Sequence, residues 1–145
     1  MPTTFRANVE HVNHTTSKVS VRSHTMLVDR GIAKGGFDLG PAGGEYMLVA
    51  LGGCFTSHLL AAIRAREADL TSVRVDVTGT LDGSPERFTS FTLNVTAQAP
   101  DAELAQKLVT IAGRACQVVN TLRNTSEVTI QYNAVPVDLT AVAAV

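Results

Sequence analysis

The chain of 145 residues carries 12 lysines and arginines against 13 acidic residues, which gives a formal net charge of −1. This length suits one domain that can bury a core without help from a metal or a disulfide. The near-neutral charge, with its basic residues scattered, gives no electrostatic reason to expect nucleic acid or an anionic membrane surface as a partner.

The first third of the chain predicts antiparallel strands followed by a glycine-rich loop. Short runs of alternating apolar and polar residues predict strands at 5–13, 18–22 and 25–29, joined by turns. From Arg30 to Gly44 the alternation is lost and glycine is frequent, so we expect a loop. Loops longer than about 12–15 residues are usually functional or disordered in compact domains, which makes this one a candidate part of a site.

The stretch from Gly43 to Ile63 is apolar almost all round and has helical length. We expect a helix from about Glu45 to Glu67, because an acid in its first turn and arginines in its last turn both suit the helix dipole. A helix that is apolar on every face is normally buried. Paired glycines and His58 interrupt the apolar run, so we do not expect it to span a membrane.

The second half of the chain predicts a hairpin, a second helix and a last strand. Alternation predicts strands at 73–81 and 88–99, and a helix opens at Asp101 and continues through Cys116 to Leu122, with Gly113 as a weak point. We expect a strand from Glu127 to Val135 and a frayed tail over 141–145. The order β-β-β-α-β-β-α-β predicts a single α+β domain over 1–145, with antiparallel sheets and two long buried helices.

The two cysteines each fall in one of the predicted helices. If those helices cross near Cys54 and Cys116, the two sulfur atoms meet. From composition alone, two buried structural cysteines are favoured over a redox pair, since free cysteine is among the most buried residue types. The four histidines and two cysteines show no zinc-type spacing, so we expect no metal site.

A reactive Cys54 needs a charge from outside its own helix. The helix dipole fades beyond the first turn, and Cys54 lies more than two turns after Glu45, so a nearby cation is required. His58, one turn later on the same face, could pair with the thiolate, or it could simply edge the core. Arg30 could swing over the site from the loop, or it could be a solvated loop charge. Glu45 could orient that arginine, or it could stabilise the helix end.

Two motifs carry a resemblance that covers nearly the whole chain. Residues 40–54, with Glu45 followed by a Leu-Gly-Gly-Cys sequence that ends at Cys54, resemble the first-cysteine signature of the OsmC/Ohr family. Residues 116–122, which begin at Cys116 and end in Thr-Leu, are similar to the family's second motif, commonly C-P-x-S-x-T-L. The order of strands and helices also fits that family.

The resemblance implies a cofactor-free, cysteine-based peroxidase that reduces organic hydroperoxides in the oxidative stress response. It implies an intertwined homodimer with two long central helices. Cys54 would be the peroxidatic cysteine, and Cys116 would resolve its sulfenic acid as an intramolecular disulfide. A dithiol such as a lipoylated protein would then reduce the disulfide. From their positions in the sequence, Arg30 would be the cation that activates Cys54, and Glu45 would be the carboxylate that orients Arg30.

The chain departs from the family pattern at two positions. The acid precedes the cysteine by ten residues in the best-known members and by nine here, and one residue is about 100° of helix rotation. Gln117 stands where a proline usually follows the second cysteine. A non-enzymatic OsmC-like protein that binds a small apolar ligand or senses redox state is therefore the alternative, and a plain structural domain is the third.

The expected location is the cytoplasm. The first residues, Met1 to Arg6, lack the apolar core of a signal peptide. Two cysteines in a cytoplasmic chain argue against a structural disulfide.

Overall fold

The fold begins with a small antiparallel sheet. The computed structural model describes residues 1–124 and 128–140. Strands β1 (Asn8–His11), β2 (Ser17–Val21) and β3 (His24–Val28) pair in the order β1-β2-β3. These strands confirm the three predicted from alternation, with ends that differ by one to three residues.

The glycine-rich loop is organised around the buried carboxylate of Asp29. Its Oδ2 atom accepts hydrogen bonds from the hydroxyl of Thr16 at 2.9 Å and from the N–H of Leu39 at 3.2 Å, and its Oδ1 atom accepts one from the N–H of Arg30 at 2.7 Å. Burial opposes ionisation of Asp29, but the hydrogen bonds outweigh it and lower its pKa to about 2. A Cβ atom at Gly36 would overlap the carbonyl of Arg30, so this turn requires glycine.

The long helix α1 (Gly43–Ala65) begins two residues earlier than predicted and buries one stripe. That stripe packs against the strand that follows α1 and against the helical segment from Ala102 to Arg123, and it consists of Leu51, Phe55, Leu59 and Ala62. The expectation of a helix buried on every face is therefore wrong for a single chain: Val49 is 59% exposed and Leu60 is 46% exposed. Apolar periodicity reports which faces avoid water, and it does not say whether the same chain covers them.

By length and composition alone, α1 would be able to cross a membrane. A single helix of this kind is weak evidence for a membrane span, because the core helix of a soluble domain meets the same criteria.

A long β-hairpin packs against α1. Strands β4 (Thr71–Asp82) and β5 (Arg87–Gln98) pair antiparallel, with Val77 opposite Leu93. The helix approaches the hairpin closely at Gly52, where a Cβ atom would lie 2.8 Å from a methyl group of Val77. This contact fixes the height of α1 above β4, and it places the half-buried Cys54 two residues further along the helix.

The predicted second helix is two helices. Helix α2 (Ala102–Ala115) ends and α3 (Gln117–Arg123) begins at Cys116, which has an extended backbone with φ −72° and ψ 117°. The break is at Cys116 rather than at Gly113, because the Cys116 sulfur accepts a hydrogen bond from the N–H of Val119 at 3.4 Å and so caps α3.

The C-terminal segment is a short hairpin rather than one strand. Strand β6 (Gln131–Tyr132) pairs with β7 (Val135–Pro136) across a turn in which Asn133 and Ala134 both have positive φ. Two successive residues of this kind reverse the chain, which a pattern of alternating apolar residues does not reveal. Glu127 and the tail over 141–145, for which a strand start and fraying were predicted, lie outside the described residues.

The core lies where α1 crosses α2. Its fully buried members include Leu59, Leu108, Ala112 and Cys116, each 0% exposed. Antiparallel sheets with helices packed on one of them confirm the α+β class. One of the two cysteines is therefore a member of the core itself.

Candidate active site

The structure brings the two cysteines together. Helix α1 packs against both α2 and α3, and the half-buried Cys54 contacts the core cluster that contains Cys116. Both are free thiols. Cys54 is partly accessible to solvent, whereas Cys116 is fully buried.

The electrostatics of the pair distinguish the two sulfurs further. Burial is the main cause that raises the pKa of the Cys116 thiol; the hydrogen bond from the N–H of Val119 opposes it, and the neighbouring Cys54 raises the pKa further. Cys116 is therefore held as a neutral thiol in the resting protein. The thiolate is the nucleophile in sulfur chemistry, so Cys116 reacts only after it loses a proton.

Gln117 joins the site by a contact that the sequence analysis did not predict. Its Oε1 atom accepts a hydrogen bond from the Cys54 thiol at 3.3 Å and lies 2.8 Å from Nε2 of His58. His58 therefore lies beside the site, as its spacing of one turn from Cys54 indicates, but it contacts Gln117 rather than the sulfur. The available signal was the position of Gln117, directly after the second cysteine.

Glu45 and Arg30, the other two predicted site residues, lie near the start of α1 and away from Cys54. Glu45 precedes Cys54 by nine residues, which is about 13.5 Å along a helix axis. Its Oε1 atom accepts a hydrogen bond from the N–H of Ala42 at 2.9 Å, a contact that caps the start of α1. This contact matches the interpretation of Glu45 as an acid that stabilises the helix end.

Arg30 is exposed and shares with Glu45 a recess of about 640 Å³ between the loop and the β4–β5 turn. Over residues 1–124 and 128–140, no hydrogen bond or ion pair joins Arg30 to Glu45 or to Cys54. A single chain thus does not bring this arginine to the thiols.

A mostly apolar recess of about 380 Å³ opens beside α3, and Arg87 and Arg123 also line it. Leu51, one turn before Cys54, lines it together with Val119 and Leu122 of α3, and two aromatic rings from β5 close it. Those rings, Phe88 and Phe91, have centroids 5.2 Å apart. The recess has room for the apolar part of a small molecule close to the cysteine pair.

The described residues contain no group of three or more histidine, cysteine or acidic side chains that could hold a metal ion. Among those residues, the groups that contact or adjoin the Cys54 thiol are the amide of Gln117, the imidazole of His58 and the thiol of Cys116.

The fold and the paired thiols define an α+β domain built around a cysteine-bearing central helix. Residues 35–131, most of the chain, match the family described as OsmC-like protein. The chain belongs to the OsmC family. No curated protein sequence matches it.

Solved structures share this fold at low sequence identity. The OsmC-like protein from Mycoplasma pneumoniae is 15% identical, with a TM-score of 0.74 over 85% of this chain and 89% of that one. An organic hydroperoxide resistance protein OsmC from Legionella pneumophila is 17% identical, with a TM-score of 0.66 over 83% and 90%. An organic hydroperoxide resistance protein from Elizabethkingia anophelis is also 17% identical, with a TM-score of 0.64 over 83% and 88%. These likenesses establish the fold.

Proposed function

We propose that this chain is a thiol-dependent peroxidase that reduces organic hydroperoxides through Cys54 and Cys116. The observation that carries the proposal is an accessible thiol packed against a core that holds a second, buried thiol. Membership of the OsmC family, with structural relatives named for organic hydroperoxide resistance, supports a peroxide-related role.

The proposed reaction uses each thiol once. The thiolate of Cys54 attacks the distal oxygen of the hydroperoxide, the O–O bond breaks, and the alkoxide takes up a proton and leaves as an alcohol. The sulfur of Cys54 is then a sulfenic acid. Cys116 loses its proton and attacks that sulfur, so that the S–S bond forms while the S–O bond breaks and water leaves.

An external dithiol completes the proposed cycle. Its first thiolate attacks the Cys54–Cys116 disulfide, and its second releases the mixed disulfide, so both protein thiols are restored and the dithiol becomes a disulfide. A lipoyl group is a dithiol of this class. No step requires a metal or an organic cofactor.

The surroundings of the cysteine pair favour an apolar hydroperoxide. Leu51, Val119 and Leu122 line the recess beside α3, and burial of apolar surface stabilises a bound molecule by about 25 cal/mol per Å². Hydrogen peroxide has no apolar part to place there. We therefore propose fatty-acid-like or other bulky hydroperoxides as the substrate class.

A homodimer is the proposed assembly. A compact protein of this mass exposes about 7,100 Å² of surface. This chain exposes 11412 Å² by itself, much of it apolar. Val49 and Leu60 on the outer face of α1 line a shallow recess with Val75 and Val77 of β4. A second copy of the chain would cover this face. The cytoplasm is the proposed location, where the thiols stay reduced between turnovers.

Thiol counting tests the proposed function directly. One equivalent of cumene hydroperoxide is expected to remove two thiols per chain without crosslinking one chain to another. With a dithiol present, the Cys54→Ser variant is expected to lose all peroxide consumption. Retention of both thiols after the addition would overturn the proposal and favour the non-enzymatic alternative of ligand binding.

A further inference from the structure

Gln117 links the accessible thiol of Cys54 to the imidazole of His58. Its Oε1 atom lies 3.3 Å from the sulfur of Cys54 and 2.8 Å from Nε2 of His58. An amide oxygen only accepts hydrogens. In this arrangement Cys54 is therefore a neutral thiol that donates, and the hydrogen of the His58 ring is on Nε2.

The same amide can serve the opposite protonation state. A half-turn about its last side-chain bond exchanges the oxygen for the NH₂ group, which has two hydrogens to donate. One hydrogen then points to the thiolate of Cys54, and the other points to Nε2 of His58, whose own hydrogen moves to Nδ1. The thiol proton leaves to solvent, which reaches the half-buried Cys54.

The hydrogen bond between Gln117 and Cys54 differs in strength between the two orientations of the amide. The S–H group is a weak donor, so the bond from the thiol to the amide oxygen is weak. A hydrogen bond donated to a thiolate is charge-assisted and about twice as strong as a neutral one. The amide therefore stabilises the thiolate form of Cys54 more than it stabilises the neutral thiol.

Within one chain, few other groups act on the Cys54 sulfur. Cys116 and His58 are the titratable groups that the described contacts place around it, and the thiol of Cys116, kept neutral by burial, shares a side-chain hydrogen bond with Cys54. Arg30 and Glu45 line a recess at the start of α1, more than two turns away. Because an S–H group is a weak donor, the NH₂ group of Gln117 is the stronger hydrogen-bond donor available to a thiolate at Cys54.

We infer that Gln117 is a positioning residue that activates Cys54 by reversing its side-chain amide, with His58 as the second partner that holds the amide in place. This inference rests on the proposed function, in which Cys54 is the attacking sulfur.

The test measures how fast Cys54 alone reacts as a nucleophile. The initial rate of its alkylation by iodoacetamide at neutral pH is followed on the peptide that carries it, by mass spectrometry of the full-length protein. Replacing Gln117 by methionine keeps the length of the side chain and removes the amide. We expect Gln117→Met to slow alkylation by about five- to tenfold, the loss of one charge-assisted hydrogen bond.

A carboxylate at the same position separates positioning from packing. Gln117→Glu keeps the size and polarity of the side chain, but a carboxylate cannot donate and repels a thiolate. We expect it to slow alkylation more than the methionine variant does, whereas a merely structural role would leave it closer to the unaltered protein. Gln106→Met, the same substitution on an exposed part of α2, serves as the control and is expected to change nothing.

A double-mutant cycle tests the part played by His58. His58→Leu is expected to slow alkylation in the unaltered protein by about two- to threefold, as the anchored amide loses a partner. It is expected to have no further effect in the Gln117→Met background, since His58 acts only through that amide. Circular dichroism melts identify variants that are unfolded.

The inference is overturned if Gln117→Met alkylates as fast as the unaltered protein or faster, if the glutamate variant is the quicker of the two, or if the His58 effect is simply additive. Alkylation requires no hydroperoxide, so its failure is distinct from failure of the proposed function. If the alkylation rates of the variants keep the expected order but the protein consumes no peroxide, only the peroxidase proposal is overturned.

Discussion

Cys54 and Cys116 face each other as an accessible and a buried thiol, where α1 meets the junction of α2 and α3. Cys116 is 0% exposed, and the neighbouring Cys54 adds to the effect of burial in raising its pKa. The asymmetry assigns different chemistry to two residues of one type: the outer sulfur meets reagents first, and the inner sulfur reacts after it loses a proton.

We expect the two thiols to be alkylated in order. At neutral pH, Cys54 should react at least about tenfold faster than Cys116, because Cys116 is fully buried and its raised pKa leaves less of it as the reactive thiolate. Timed quenching with iodoacetamide and peptide mass spectrometry measures both rates. Urea-unfolded protein is the control, in which the two rates should converge. Equal rates in the folded protein would contradict the asymmetry.

We expect Cys116→Ser to leave Cys54 exposed to over-oxidation. Without a resolving thiol, the sulfenic acid meets a second hydroperoxide and becomes sulfinic acid. Intact-mass spectrometry after a few equivalents of cumene hydroperoxide should show oxygen added at Cys54 in this variant and a disulfide in the unaltered chain. If the variant instead returns to the reduced thiol as quickly as the unaltered chain, Cys116 is not the resolving residue.

We expect acid to release the loop after β3 through Asp29. Its pKa is lowered to about 2 in the folded chain, so its hydrogen bonds contribute fully to stability above its ordinary value near 4. The contribution declines as the pH falls from about 4 to about 2. The melting temperature of Asp29→Asn should therefore lie below that of the unaltered chain at neutral pH, and the difference should shrink towards pH 2. A difference that is constant with pH would contradict this linkage.

We expect Leu108→Ala to destabilise the core strongly. Leu108 is 0% exposed where α2 packs on α1, and truncation of such a residue costs about 2–5 kcal/mol of the free energy of unfolding. Urea unfolding followed by circular dichroism measures the change. The exposed Lys107→Ala on the same helix is the matched control and should fall within about 0.5 kcal/mol. A loss below about 1 kcal/mol at Leu108 would show that this site is not the core.

We expect an acid on the outer face of α1 to dissociate the proposed homodimer. Leu60→Asp places a charge on this apolar face, and an unpaired buried charge is costly. Sedimentation velocity should show a dimer for the unaltered chain and a monomer or aggregate for the variant. Ser84→Asp in the β4–β5 turn is the control and should stay dimeric. A monomer in the unaltered chain would exclude this assembly.

Local pattern was sufficient for the main elements, whereas the cysteine pair came from a family resemblance. Alternation and helical period depend on neighbours in sequence, so they located β1 to β5, the long helix and most of α2. The resemblance of the two cysteine motifs to the OsmC/Ohr family implied that Cys54 and Cys116 act as a pair, and the structure brings them together.

Only the tertiary structure decided what surrounds that pair. The helical rise between Glu45 and Cys54 separates Glu45, and the loop that holds Arg30, from the two sulfur atoms. A sequence motif does not report this distance. The break at Cys116 turns Gln117 towards Cys54 and His58, and it depends on packing between α1, α2 and α3. The outer face of α1 is apolar in sequence and open in the single chain, since periodicity identifies a face that avoids water and only packing shows what covers it.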